Sequence, residues 1–405
     1  MDELPLPDGQ ALQISDALQA RVRSLAQTAG GWLGFDRFMQ AALYEPGLGY
    51  YVAGARRFGA SGDFVTAPEL TPLFGHCLAG ASVEWLESLA PTITEFGAGT
   101  GQLAAQMLNA LERLGRTPER YRIIEVSPAL REQQRHTLEL MCPGLVGRVQ
   151  WLDHLPDSLD GLIVANEVLD AMPVRLFELH EGAIHERGLM RGQSDAPLVW
   201  QTRLADAAFA ARVRRALAGA GWGGADPLSI DLGAWPEGYA SELPEAAAAW
   251  LDTIAERLSA GVLLLIDYGF PAREFYHPQR AGGTLACHYR HRVHHDPLLY
   301  PGLQDITVHV DFTALARRAE RAGLEVLGYT SQANFLLNAG LLDGLAGMPR
   351  ESPEYLRQAQ AVQRLVSEAE MGELFKVIAV GRGVHSAGPG FGRGGRLGGI
   401  IDSDV

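Results

Sequence analysis

Apolar residues over positions 11–43 recur at helical spacing and stop at Tyr44-Glu45-Pro46-Gly47, which predicts one or two helices ended by a Pro/Gly turn. Residues 46–68 carry Gly, aromatic and small residues without a period and read as an ordered loop. Thr66, with Glu69 three residues on and Pro68 in the first turn, has the spacing of a capping box, so a helix from Glu69 to about Leu89 should follow. From Thr92 the pattern alternates. Short apolar runs at Thr92–Phe96, Tyr121–Val126, Val146–Leu152 and Gly161–Ala165 predict strands. Helical periods at Gln102–Leu114 and Ser127–Met141 separate the first of these, with Ser127 as cap and Pro128 at the first position. Such alternation implies parallel pairing and a doubly wound α/β sheet.

The rhythm breaks at 174–204, where runs at Val174–His180, Ala183–Met190 and Pro197–Arg203 predict an antiparallel insertion. Helices follow at Asp206–Ala218 and Pro244–Leu258, then a buried strand at Gly261–Tyr268 and a helix over Phe312–Ala322 capped by Asp311. Leu324–Tyr329 and Phe375–Val380 read as an antiparallel pair at a sheet edge. The pattern divides the chain into a helical segment and lid loop (1–68), two parts of one α/β domain (69–173 and 244–381) and an inserted subdomain (174–243). A tail (382–405) completes it. From Gly381 to the end, nine of 25 residues are glycine, too little apolar content to fold alone, so the tail is expected to be disordered.

Composition narrows what such a chain does. Its 405 residues hold 34 Lys+Arg against 48 Asp+Glu, a formal charge of −14. That deficit disfavours long nucleic acid, whose affinity comes largely from phosphate neutralisation. Cys77, Cys142 and Cys287 lie far apart, with no zinc-thiolate or disulfide spacing. An acidic, Pro-containing start lacks the basic and apolar stretches of a secretory signal, and no apolar run approaches the ~20 residues of a membrane helix. The expectation is a cytoplasmic protein without a membrane partner. A homodimer is allowed but not specified.

The candidate chemistry begins at Glu95-Phe96-Gly97-Ala98-Gly99-Thr100-Gly101, between a strand and a helix. Three alternating glycines allow a sharp turn and a close approach of ligand to backbone. A dinucleotide fingerprint needs G-x-G-x-x-G, but the sixth position is Gln102, and no Walker loop is present. G-x-G-x-G with an acid two residues upstream favours S-adenosyl-L-methionine. Glu125 ends the second strand, where its carboxylate can accept both ribose hydroxyls. A solvent-exposed strand-end acid is the alternative. Asn166, Glu167 and Asp170 follow the fourth strand, at the switch point where ligands of open α/β sheets bind. A helix cap at Asn166 and an ordinary helical Asp170 are the competing roles.

Six segments taken in order, Gly62-Asp63-Phe64-Val65-Thr66-Ala67-Pro68-Glu69, Glu95–Gly101, Ile124–Leu130, Ala165–Ala171, Leu265-Ile266-Asp267-Tyr268-Gly269 and Asp305–Phe312, resemble the MidA family over roughly 44–381. The resemblance implies a class I, Rossmann-like, seven-stranded sheet with S-adenosyl-L-methionine as cofactor. It also implies a protein substrate presenting arginine, converted to symmetric dimethylarginine, with a respiratory complex I subunit as acceptor in eukaryotic members. Ala98 and Thr100 stand where many members carry the Pro and Arg of G-P-G-R-G, keeping the glycine geometry. The cofactor-binding set is then Thr66, Glu95, Gly97, Ala98, Gly99, Thr100, Gly101, Glu125, Val126 and Asn166.

A guanidinium is a poor nucleophile because its lone pairs are delocalised, and paired carboxylates gripping two of its nitrogens would leave the third aimed at the methyl. Glu167 and Asp170 are the candidates for this role, with His309 as proton acceptor and Asp267 and Asp311 in support. The stretch Cys287–Asp296 contains four histidines, but Arg290 and Arg292 oppose a cation, so it reads as a loop bordering the substrate cleft rather than a metal site. Tyr50 and Tyr51 are lid or core aromatics. A small molecule or RNA base as acceptor, or a scaffold that no longer catalyses, remain open alternatives.

Overall fold

The computed structural model describes residues 4–52, 65–190, 198–222 and 230–401. Seven strands form the central sheet: β1 Thr92–Phe96, β2 Arg120–Ile124, β3 Val149–Leu152, β4 Leu159–Asn166, β5 Leu258–Phe270, β6 Glu325–Ser331 and β7 Phe375–Arg382. Their spatial order is 3-2-1-4-5-7-6, and a further two-residue strand, Val310–Asp311, pairs in parallel with the end of β5. All pairings are parallel except those of β7, which runs antiparallel to both β5 and β6. This is a class I methyltransferase-type, Rossmann-like sheet, doubly wound as the alternating pattern predicts. Both faces are buried: Ile93, Leu162 and Leu264 pack on one side, and Ile163, Leu263 and Leu265 on the other.

The antiparallel insertion is present as Arg175–His180, Ala183–Met190, Val199–Leu204 and Ala240–Leu243. It gains an unexpected member, because Trp32–Gly34 from the N-terminal segment pairs with Gly188–Met190. The lead-in helices Gly9–Thr28 and Phe35–Tyr44 therefore share a core with the insertion, built on Phe35, Phe38, Leu176 and Leu189. Helices Gln332–Asn338, Leu341–Ala346 and Pro353–Val366 occupy a stretch for which the sequence pattern assigned no element.

Two local expectations need correction. Thr66 makes no capping bond, and the helix expected to run from Glu69 is split into Ala67–Leu70 and Pro72–Ser88. Thr71 is the working cap, accepting from Leu73 N, because Pro72 restarts the helix. Released from capping, Glu69 accepts from the Thr100 hydroxyl in the glycine turn.

The second correction concerns the tail. Residues 383–401 cover the outer edge of β6 instead of hanging free. Arg396 N donates to Tyr329 O (2.8 Å), the Thr330 hydroxyl donates to Gly394 O (2.8 Å), and Phe391 is only 8% exposed against Phe335. The glycines serve packing here. A Cβ on Gly390 would come within 2.3 Å of the Phe335 ring, and one on Gly328 within 2.4 Å of Phe391. The tail satisfies an edge strand that would otherwise offer free backbone groups. Positions 402–405 of the expected disordered segment lie outside the described residues.

Phe391→Ala should therefore cost about 3 kcal/mol, the order seen for a buried phenylalanine. Urea unfolding checks this, and an unchanged midpoint would show that the tail contributes no packing.

Candidate active site

The carboxyl ends of β1, β2 and β4 lie side by side, with Phe96 paired to Ile124 on one flank and Ala165 on the other. The glycine turn, Glu125-Val126 and Asn166–Asp170 therefore leave the sheet together, around a cavity of about 690 Å³. Thr66, Glu95, Gly97, Ala98, Gly99, Thr100, Glu125, Val126, Asn166, Glu167, Asp170 and His309 all line it. Gly101 does not. Its φ of +85° and the Gln134 backbone 3.0 Å from where a Cβ would stand make it a packing glycine behind the turn. Gly62, Asp63 and Phe64 lie outside the described residues.

The turn needs its glycines. Gly97 and Gly99 have φ of +65° and +51°, and a Cβ at Gly97 would approach Val168 Cγ2 to 2.6 Å. Gln134, fully buried, ties the turn to its neighbours: its Nε2 donates to Gly99 O (3.0 Å) and Glu125 Oε2 (3.2 Å), while its Oε1 accepts from the Trp151 indole (2.9 Å). Gln134 is absent from the residues that the sequence pattern singles out. A polar residue on the buried side of helix Pro128–Met141 was the available signal. Glu125 also accepts from Ser127 N (2.8 Å), so its two oxygens are oriented while retaining lone pairs for a ligand. Glu95 accepts from the Tyr121 hydroxyl (2.6 Å), and burial pushes its carboxyl up to about 7 against that bond.

After β4 the chain turns sharply at Glu167, whose φ of +54° is rare outside glycine and is held by a bond from Glu167 N to Ile266 O (2.9 Å). Asp267, from the adjacent end of β5, accepts from the backbone N–H groups of Val168, Leu169 and Asp170 at 3.2, 2.9 and 3.3 Å. Asp267 does not line the cavity and acts through the turn. Asp311 is likewise set apart, as the cap that accepts from Ala314 N (3.0 Å).

The acids facing the cavity are electrostatically strained. Burial pushes Glu167 up to about 8, with the charge of Asp170 adding to the rise. Asp170 is pushed up to about 6 by burial, against a bond accepted from the Tyr268 hydroxyl at 2.6 Å. A third carboxylate, Asp305, lies on the same wall and accepts from the Tyr51 hydroxyl (2.9 Å). Tyr51 stacks on Tyr44, whose hydroxyl donates to Ala171 O (3.0 Å), so the residues flanking the Pro/Gly turn close one side of the site. Tyr268 and Asp305 fall within the MidA-like segments, but their residue types alone assign them no role.

His309 stands edge-on to Tyr268, with ring centroids 5.1 Å apart, and burial pushes its imidazole down to about 4, assisted by Arg280 and Lys376. It is neutral at pH 7. The histidine-bearing stretch forms a hairpin, Ala286–Tyr289 with Arg292–His294, and its His288 and Val293 border the cavity. Among the described residues no three His, Cys, Asp or Glu side chains converge as a metal site.

The cavity has the features an adenosyl cofactor needs. Glycines admit ligand to the backbone, Glu125 stands at the end of β2, and the buried Asn166 Oδ1 and Asp170 Oδ1 have no protein partner. A family profile described as S-adenosyl-L-methionine-dependent methyltransferase matches residues 77–330. The chain belongs to this family, the MidA-type methyltransferases. A Burkholderia thailandensis protein bound to S-adenosyl-homocysteine is 48% identical, with a TM-score of 0.90 over 97% of this chain and 99% of that one. A native crystal structure of a protein from the same organism, also 48% identical, gives a TM-score of 0.86 over the same shares. Protein arginine methyltransferase NDUFAF7 of Danio rerio is 28% identical, covering 87% of this chain and 84% of its own, and the mouse protein is 29% identical over 85% and 79%. Both are named mitochondrial. Among the described residues of this methyltransferase, no helix is long and apolar enough to cross a membrane.

S-adenosyl-L-methionine is the cofactor, and when bound it supplies a methyl group on a positively charged sulfur. The homocysteine product lacks that charge. Because Glu167 and Asp170 hold their protons to unusually high pH, the site becomes more negative as pH rises from about 6 to about 9. Affinity for S-adenosyl-L-methionine relative to S-adenosyl-L-homocysteine should rise about tenfold over that range. Glu167→Gln should flatten the rise. Calorimetric titration of both ligands at each pH checks this, and a constant ratio in the wild type would mean that these acids do not sense the sulfonium.

Proposed function

We propose that this methyltransferase modifies arginine on a protein substrate, giving symmetric dimethylarginine. The observation that carries the reading is the placement of Glu167 and Asp170 on one cavity wall, with Asp170 Oδ1 lacking any protein partner. A buried carboxylate oxygen without a donor is costly, and a guanidinium supplies donors in a fork that matches paired carboxylates. The relatives named as protein arginine methyltransferases support the same acceptor, and the MidA resemblance makes a respiratory complex I subunit the first acceptor to try.

The proposed division of labour follows from the charges. Glu95, the glycine turn, Glu125, Val126 and Asn166 hold the cofactor, with Thr66 and Thr100 on its flank. Asp170, fixed by Tyr268, binds one guanidinium nitrogen. Glu167 gives up its own proton to solvent when the cationic acceptor enters, binds a second nitrogen as a carboxylate and takes the proton lost at methylation, a role for which an imidazole held near 4 is the weaker base. His309 then serves as a neutral wall beside the acceptor. Asp267 keeps Glu167 and Asp170 in register.

Glu167→Gln should lower kcat at least about 100-fold with labelled cofactor and an arginine-bearing acceptor, while S-adenosyl-L-homocysteine binds as in the wild type. The acceptor itself is tested by comparing peptides of a deletion strain and its parent by mass spectrometry. Loss of a dimethylarginine peptide is expected. An unchanged protein methylome would move the acceptor to a small molecule or nucleic acid base.

A further inference from the structure

A second cavity, of about 530 Å³, lies between the inserted sheet and the 280–286 segment, and it shares Ala286 and His309 with the first as wall residues. The two spaces therefore meet at the proposed acceptor side of the methyl-transfer site. Their charges are opposite. The first is walled by Glu167, Asp170 and Asp305, whereas the second presents Arg187, Arg280 and His295.

Both guanidinium groups are held over rings, Arg187 at 4.4 Å from the Trp200 centroid and Arg280 at 4.3 Å from that of Phe270. Neither has a carboxylate within ion-pair distance among the described residues. Three other arginines of the same subdomain are paired: Arg175 and Arg203 both reach Glu186, and Arg212 reaches Glu245. The carboxylate on this cavity's wall, Glu242, is occupied, accepting from Thr284 N (2.7 Å), Leu285 N (2.9 Å) and the Ser241 hydroxyl (3.2 Å). Arg280 gives its Nε–H to Glu274 O (3.2 Å), but neither arginine is balanced by a carboxylate among the described residues, and two such half-buried cations in a chain of net charge −14 indicate a place kept for an anion brought from outside.

The same wall is mechanically joined to the reaction site. Glu242 fixes the backbone of Thr284, and the Thr284 hydroxyl accepts from His309 N at 3.1 Å. A group seated between Arg187 and Arg280 would thus lie against the loop that positions His309.

We propose that this cavity is an acceptor-recognition subsite, in which Arg187 and Arg280 take the carboxylate of an acidic side chain carried by the protein segment near the target residue. It rests on the protein-arginine reading for the neighbouring site and adds a sequence preference to it. The acceptor is dipolar, with its cation beside Glu167 and Asp170 and its anion beside the two arginines.

The test is fluorescence anisotropy with the full chain saturated with S-adenosyl-L-homocysteine, using labelled peptides that hold one central arginine flanked by glutamate or by glutamine. Glutamate peptides should bind about tenfold more tightly, the order of one charge-assisted hydrogen bond. The preference should vanish in the Arg187→Gln/Arg280→Gln double variant and return in Arg187→Lys/Arg280→Lys, with S-adenosyl-L-homocysteine affinity unchanged in both. Equal binding of the two peptide sets by the wild type, or a preference that survives the glutamine variant, overturns the subsite. Free glutarate that competes as strongly as the glutamate peptides overturns the assignment to a protein segment. Replacing the central arginine by glutamine separates the two readings. If binding is insensitive to that change while the glutamate preference persists, the subsite stands and the arginine reading fails.

Discussion

Asp267 accepts three successive backbone N–H groups, those of Val168, Leu169 and Asp170, and its other oxygen accepts from Tyr268 N at 2.9 Å. That one buried carboxylate links the ends of β4 and β5 and holds the chain where it turns through a left-handed residue at Glu167. Burial and the charges of Asp170 and Glu167 push the Asp267 carboxyl well up, and even ordinary hydrogen bonds of about 0.5–1.5 kcal/mol each are together enough to offset the ~1–3 kcal/mol of an unfavourable backbone conformation. Together with the bonds from Glu167 N to Ile266 O and from the Tyr268 hydroxyl to Asp170, this anchor sets the spacing of Glu167 and Asp170. Parallel pairing of β4 with β5 makes the anchor possible, because register places Asn166 opposite Ile266 and so brings the following residue, Asp267, beside the turn.

The site then follows from charge held in low dielectric. Burial raises the carboxyls of Glu95, Glu167 and Asp170 and lowers His309, so the resting site carries less negative charge than its acids suggest. A cation entering such a site reverses part of the desolvation cost, which is a physical reason for a sulfonium cofactor to fit it. The proposed guanidinium acceptor would extend the same logic. The overall charge of −14 is consistent with this preference, and the unpaired arginines of the second cavity are its local exception.

Much of this was legible in the chain itself. Alternating strand and helix periods predict the sheet, and Gly97–Gly101, Glu125 and Asn166–Asp170 fall at consecutive strand ends because loops after parallel strands gather at one edge. The residues that were not legible act over long sequence distances. Gln134 bridges Gly99, Glu125 and Trp151 from within a helix whose pattern looks ordinary, and Asp305 meets Tyr51 across 254 positions. Thr66 carried a capping signal that Pro72 and Thr71 override. The tail departs from expectation because glycine content does not equal freedom: Gly388, Gly390 and Gly394 leave room for Trp85, Phe335 and Asn334.

The most direct measurement is a crystal structure of the protein with S-adenosyl-L-homocysteine and an arginine peptide. The account predicts that two guanidinium nitrogens lie about 2.7–2.9 Å from the carboxylates of Glu167 and Asp170, with the third nitrogen facing the cofactor sulfur. A guanidinium bound elsewhere, or a sulfur facing away from the 166–170 turn, would contradict it.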